Sequence, residues 1–265
     1  MVQRTLCFVK DQAVNCSYKS ANTNVGHSMS RFFAEFFGLL VALLLVLGGI
    51  VIALIYVPNS PLPDEWNPRA PLEMRAPFTP VTNWKLSQRI GNFEYCQKFL
   101  TELDVRFQAL PPKEESAFCH IRNQVEVTRL SSAKINPLRS TCGTALRLAL
   151  WEYHGLQPAA EARFQSKVSS MQHIGSYSCR KIRTTDGDSD RFSEHATANA
   201  VDISGVTLSD GRKITLIADW QTDTGFLHDI RDAACRFFRV VLSPDFNVLH
   251  ADHFHMDMGR WKACR

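Results

Sequence analysis

Three of the chain's nine histidines fall within six residues, His250-Ala251-Asp252-His253-Phe254-His255, and Asp257 lies just beyond. From His253 onward polar and apolar residues alternate. Strand side chains alternate faces, so His253, His255 and Asp257 share one face while Phe254, Met256 and Met258 share the other. The apolar face packs a core. Burying two imidazoles and a carboxylate on the opposite face is costly unless something pairs with them, and a divalent cation takes these ligand types. Two surface histidines on an edge strand is the competing reading; it suits a lone histidine better than this cluster.

A second stretch lies upstream, Ser193-Glu194-His195-Ala196-Thr197-Ala198-Asn199-Ala200-Val201-Asp202. His195 and Asp202 reach one ion if a turn separates them, and Asp202 sits at the start of an apolar strand, a poor place for an unpaired carboxylate. With one imidazole from the downstream cluster this makes two histidines and one carboxylate. Such a set leaves a position open for water, the catalytic zinc arrangement. A non-haem iron site uses the same ligand types and is the rival, although its closely spaced H-x-D pair is absent.

The elements that must position these residues follow from periodicity. Residues 84–105 have helical spacing through Ile90, Phe93, Cys96, Phe99, Leu100 and Leu103. A strand is expected at 125–130, a buried helix at 141–154 and a short helix at 158–168. Strands are then expected at 171–180, 199–206 and 213–219, an amphipathic helix over 225–239, and strands at 240–242 and 253–258. Helices first and sheet later give an α+β fold, mostly antiparallel with flanking helices, over residues 84–265.

Ahead of this domain, residues 36–57 run FFGLLVALLLVLGGIVIALIYV without a charge. That is long enough to cross a hydrocarbon core of about 30 Å as one helix. The run exceeds a signal-peptide core and no small-x-small cleavage site follows it, so the expectation is an uncleaved transmembrane anchor, preceded by one weakly structured cytoplasmic tail, 1–35. Met29 is an alternative start. A weak basic excess before the helix places the amino terminus in the cytoplasm and the large domain outside. Seven of the twelve prolines lie between Pro58 and Pro80, so residues 58–83 read as an extended tether.

Net charge is only +4 with both signs mixed, which gives no reason to expect a nucleic-acid partner. Cys7 and Cys16 precede the apolar helix, while Cys96, Cys119, Cys142, Cys179, Cys235 and Cys264 follow it. In an oxidising space six cysteines make three disulfides, with about 15 pairings open, and no C-x2-C pair favours zinc-finger ligation.

The two motifs in order, S-x-H-x-x-x-x-A-x-D at 193–202 and H-x-D-H-F-H at 250–255, resemble the metallopeptidase superfamily of lysostaphin-type enzymes, D-Ala-D-Ala peptidases and hedgehog-like domains. A closer resemblance is to the extensin-like C-terminal domain family of bacteria. It rests on GSYSCR at 175–180, SEHAT-x-NA-x-D, ACRFF at 234–238 and the stretch from Leu242 to Asp257, and it covers roughly residues 90–264. The H-x-x-H-F-H spacing also resembles periplasmic murein endopeptidases. These resemblances imply zinc on His195, Asp202 and His255, with Asp252 and His253 as candidates for the general base and His250 or Arg180 as oxyanion stabilisers. They also imply peptidoglycan peptides as substrate and the periplasmic face of a bacterial inner membrane as location. Ala198 stands where related motifs have glycine; if that turn needs a positive φ, alanine costs about 1 kcal/mol.

Other features have plainer readings. Asp186, Asp188 and Asp190 mimic the start of a calcium loop, but Arg191 and Thr197 replace its glycine and glutamate, so they are expected in a solvated loop. His173 and His228 read as ordinary strand and helix residues, Trp220 and Trp261 as core or rim packing. The alternative to a peptidase is a non-catalytic zinc-containing module that binds the wall or a protein.

Overall fold

A computed structural model describes residues 7–10, 13–16, 25–222 and 225–265, with side chains from Phe32 onward. The chain divides into two compact units, Met1–Pro61 and Leu62–Arg265.

In the first unit, strands Cys7–Lys10 and Ala13–Cys16 pair antiparallel, and a helix runs from Val25 to Tyr56. The rest of the tail expected at 1–35 lies outside the described residues. Phe32–Tyr56 has a mean hydropathy of 3.1 over its best window and is long and apolar enough to cross a membrane.

The second unit is α+β. Its nine-stranded sheet runs Ala263–Cys264, Val240–Leu242, Phe254–Asp257, Ala200–Leu208, Val168–Gly175, Lys134–Thr141, Gln124–Arg129, Arg106–Ala109, with Lys213–Thr215 added beside Ala200–Leu208. Pairing is antiparallel except between Lys134–Thr141 and Val168–Gly175 and between Val240–Leu242 and Ala263–Cys264. Helices Pro80–Arg89, Phe93–Glu102, Cys142–Trp151 and Phe226–Ala234 flank it. Each of the first three starts on a side-chain cap, from Thr79, Asn92 and Thr141, which satisfies an otherwise orphaned amide. The Cys142–Trp151 helix is buried on nearly every side and mostly apolar, with Leu146, Leu150 and Trp151 joining Val125, Leu138, Phe226 and Ile230 in one core, while its buried Arg147 donates to the Phe237 carbonyl at 2.7 Å. Burial of each such side chain is worth about 1.5–3 kcal/mol.

Several boundaries differ from the sequence expectations. The helix expected at 141–154 passes through a wide π turn, Glu152–Leu156, into Gln157–Phe164. The strand expected at 213–219 ends at Thr215, where Asp219 accepts from the Thr215 amide and a helical turn Leu216–Asp219 begins. The helix expected over 225–239 stops at Ala234. Asp188 and Asp190 sit on an exposed hairpin strand, Gly187–Phe192, paired with Lys181–Thr184, rather than in a loop.

The largest correction concerns the tether. The folded unit begins at Leu62, and Leu72 and Met74 are buried in its core. The backbone is non-helical from Leu62 to Thr79, and Pro80 opens the first helix of this unit instead of refusing it, but the chain is held down. Lys85, only 4% exposed, has its Nζ set among the carbonyls of Asp64, Asn67, Ala70 and Pro71 at 3.0 to 3.4 Å, four acceptors sharing its three N–H groups. His154 meets the Met74 carbonyl at 2.8 Å.

Candidate metal centre

The site is built on the middle of the sheet. Val201 and Ile203 face the core opposite Met256 and Phe254, which leaves Asp202 directly across from His255 on the other face. The alternation expected from the sequence therefore holds for Phe254–Asp257. Asp202 also pairs with Gly175 on its far side, and Ser176 follows at once.

His195 arrives from a 3-10 turn, Glu194–Thr197, capped by Ser193, whose hydroxyl accepts from the His195 amide at 3.3 Å. Ala198 closes this turn with φ 50° and ψ 29°. That left-handed residue reverses the chain into the Ala200–Leu208 strand, and its carbonyl accepts from the Thr141 amide and from the hydroxyls of Thr144 and Ser176. The turn does need a positive φ, and alanine adopts it. This geometry brings His195 and Asp202 to one point.

His195, Asp202 and His255 each offer a ligand atom within 4.8 Å of the others, a grouping that can hold a metal ion. His195 Nε2 is 3.1 Å from His255 Nδ1 and 3.2 Å from Asp202 Oδ2, and His255 Nδ1 is 3.0 Å from Asp202 Oδ1. The outer nitrogens are tied away. His195 Nδ1 donates to the Ser176 carbonyl at 2.7 Å, and His255 Nε2 donates to Asp257 Oδ2 at 2.8 Å. Asp257 is itself held by the Gly259 amide at 2.7 Å. A β-carbon on Gly259 would stand 2.7 Å from Glu194 Oε1 and 3.0 Å from Asp257 Oδ1, so a larger residue there would push the Glu194 carboxylate aside.

The Ser176 carbonyl can only accept, so the His195 proton sits on Nδ1 and its Nε2 lone pair points inward. His255 has a carboxylate at each nitrogen; with its proton on the Asp257 side, its Nδ1 lone pair joins His195 Nε2 and the Asp202 carboxylate. Three electron-rich groups facing one another need a positive charge between them. A metal ion supplies it; otherwise a second proton on His255 does. Burial disfavours that imidazolium, but Asp202 and Asp257 outweigh burial and raise His255 to about 9. Burial likewise opposes the charge on Asp202, yet His195 and His255 hold its carboxyl well below the usual range.

The remaining candidates surround this group. His253 Nε2 lies 3.8 Å from Asp202 Oδ1, and His253 Nδ1 donates to Asp252 Oδ1 at 2.7 Å. His250 stands with its ring 5.3 Å from that of His253 and 5.8 Å from that of His255. Burial first, then the neighbouring imidazoles of His255 and His253, push His250 down to about 4, so it is neutral at physiological pH. Arg180 is half-buried and lies within electrostatic reach of Asp202, while its guanidinium donates to the Lys181 carbonyl at 3.2 Å. Trp261 is exposed on the rim with Arg191 over its ring, and Trp220 is core, stacked on His228.

Sequence reasoning gave no role to three supporting residues, and it set Asp257 on the polar face toward a cation where the structure has it accept from His255 Nε2. Asn247, three residues before His250, has the signature of a turn cap. Gly259 is visible only once Glu194 is folded against it, and Ser176 acts through a backbone carbonyl that any residue would supply.

The fold and site together define a disulfide-stapled α+β domain with a cluster of two histidines and one carboxylate set on its central strands. The chain belongs to the family described as Extensin-like protein C-terminus, which matches residues 94–265. No curated protein and no solved structure matches it.

Proposed function

We propose that this chain is a membrane-anchored, zinc-dependent peptidase acting in the bacterial periplasm on the peptide part of peptidoglycan. The observation that carries the reading is the convergence of His195 Nε2, His255 Nδ1 and Asp202 on one point, with an Asp252–His253 pair aimed at the same place. The donor set suits zinc, and iron is the less favoured alternative. Zinc held there would polarise a carbonyl oxygen and acidify a water molecule.

The protein groups do the rest. Because His253 Nδ1 donates to Asp252, its proton stays on Nδ1 and its Nε2 lone pair, 3.8 Å from Asp202 Oδ1, is free to remove a proton from water and return it to a leaving amine. Asp252 fixes that ring. Arg180 supplies positive charge for a developing oxyanion. The order of the two motifs, which resembles lysostaphin-type and D-Ala-D-Ala peptidases, supports an amide substrate, and the resemblance to murein endopeptidases supports a peptidoglycan cross-link. Three disulfides and the apolar Phe32–Tyr56 helix support an oxidising compartment beyond the membrane.

The test is digestion of purified muropeptides by the detergent-solubilised chain, with and without chelator, beside His255→Ala. New amine termini that require zinc and vanish in the variant are expected. Stoichiometric zinc with no new products on any cross-link type would instead favour a non-catalytic wall-binding or protein-interaction module.

A further inference from the structure

We propose that Asn247 is a positioning residue that locks His250 in its Nδ1–H tautomer, so that His250 offers the site an unprotonated Nε2 and works there as an acceptor. The chain of reasoning starts at Leu249. Its backbone N–H can only donate, and it points at Asn247 Oδ1 at 3.1 Å. That contact fixes which end of the Asn247 amide is oxygen. The same oxygen lies 2.7 Å from His250 Nδ1, and two acceptors do not hold one another at that distance, so Nδ1 carries the proton.

A neutral imidazole has one proton, which leaves Nε2, the remaining polar atom of the ring, with a lone pair. His250 is therefore not a donor to an oxyanion. Its ring stands 5.3 Å from that of His253 and 5.8 Å from that of His255, which sets this lone pair beside the cluster as an acceptor for a substrate N–H or water. Phe246 lies edge-on to the same ring at 5.5 Å and limits its rotation. Arg180 is left as the side chain able to donate to an oxyanion. The acceptor role rests on the peptidase reading; the tautomer does not.

The two are separated by reading the tautomer directly. Long-range proton–nitrogen correlation spectra of the 15N-labelled full chain in micelles, at neutral pH with zinc added, should show His250 protonated at Nδ1 and bare at Nε2. Asn247→Asp keeps both accepted hydrogen bonds and should leave that signature in place. Asn247→Ala should let His250 populate the other tautomer while zinc stoichiometry stays unchanged, because His195, Asp202 and His255 are untouched. In muropeptide digestion Asn247→Ala should lower kcat by about 10–100-fold, as loss of an orienting partner does, with KM little changed and Asn247→Asp near the parent. An Nε2-protonated His250 in the parent chain, or an unaltered tautomer in Asn247→Ala, overturns the assignment. If Asn247→Ala fails to fold, the parent spectrum alone decides. An inactive parent with the expected tautomer sinks the peptidase reading and leaves the role of Asn247 standing.

Discussion

At the scale of residues, each of the two inward-facing imidazoles, His195 and His255, owes its direction to an acceptor on its outer nitrogen, and one of those acceptors can be removed without touching a ligand. Replacing Asp257 with alanine frees His255 to turn or change tautomer, so zinc affinity should fall by about 10–100-fold, while His255→Ala should abolish binding. Competition against a chromophoric chelator measures both, and unchanged affinity in Asp257→Ala would show that Asp257 does not orient the ring. Ala198 offers a second residue-scale test. Glycine there would relieve about 1–2 kcal/mol of left-handed strain. It would also lose a buried methyl worth about 0.8 kcal/mol and free the unfolded chain by about 0.4–1 kcal/mol. These nearly cancel, so Ala198→Gly should leave the urea midpoint almost unmoved. Ala198→Val, bulkier and less tolerant of a positive φ, should destabilise by about 2 kcal/mol or more. The meeting of His195 and Asp202 with one imidazole of the 250–255 cluster was legible from side-chain type and spacing, and the family resemblance singled out His255. The Ser176 carbonyl was not, since a backbone acceptor leaves no mark on the sequence.

At the scale of elements, the stretch 62–79 shows what proline-rich composition does and does not say. Pro63, Pro68, Pro71 and Pro77 announce non-helical backbone, and that much holds. They do not announce whether the carbonyls of that backbone find donors, and here a buried lysine and a histidine from later helical segments provide them. Lys85→Met would leave several part-buried carbonyls without their donor. The expected cost is about 1–3 kcal/mol, with faster amide exchange confined at first to residues 62–71. Global exchange with no local change would show that the lysine does not pin the segment. Buried His154 makes the stability of this region pH-dependent. Burial holds its pKa below the ordinary 6.5, only partly opposed by the Met74 carbonyl. The unfolded chain therefore binds a proton through pH 6.5 that the folded chain still refuses, and stability present above that pH is lost as pH falls toward the folded pKa. His154→Gln keeps a donor for Met74 but does not titrate. Its Tm should vary less than the parent's between about pH 7 and 5, and parallel curves would exclude His154 as the source.

At the scale of the whole molecule, the three disulfides link parts that the sheet alone does not. Cys96–Cys142 joins two helices, Cys119–Cys179 ties an outer loop to the segment that carries Ser176 and Arg180, and Cys235–Cys264 ties the end of a helix to the last strand. The sequence limited these to three pairs and left the pairing open, because partner choice depends on which chain ends the fold brings together. The bridges span 46, 60 and 29 residues. In the chain-entropy picture each is worth about 4 kcal/mol, so loop length hardly separates them. Position does. The Ser178 amide donates to the His195 carbonyl at 3.0 Å one residue before Cys179, so the Cys119–Cys179 bridge holds the strip against which His195 is set. Cys119→Ser with Cys179→Ser and Cys235→Ser with Cys264→Ser should therefore lower stability by similar amounts in urea. Only the first pair should also weaken zinc binding in chelator competition, and equal loss in both would show that the bridges act on global stability alone. Together the three approach about 12 kcal/mol, comparable to the whole stability of about 5–15 kcal/mol expected of such a domain. A strong reductant should accordingly unfold the Leu62–Arg265 unit near 37 °C, a loss that near-ultraviolet circular dichroism would register. Survival of the fold under full reduction would remove the physical reason for placing this domain in an oxidising space.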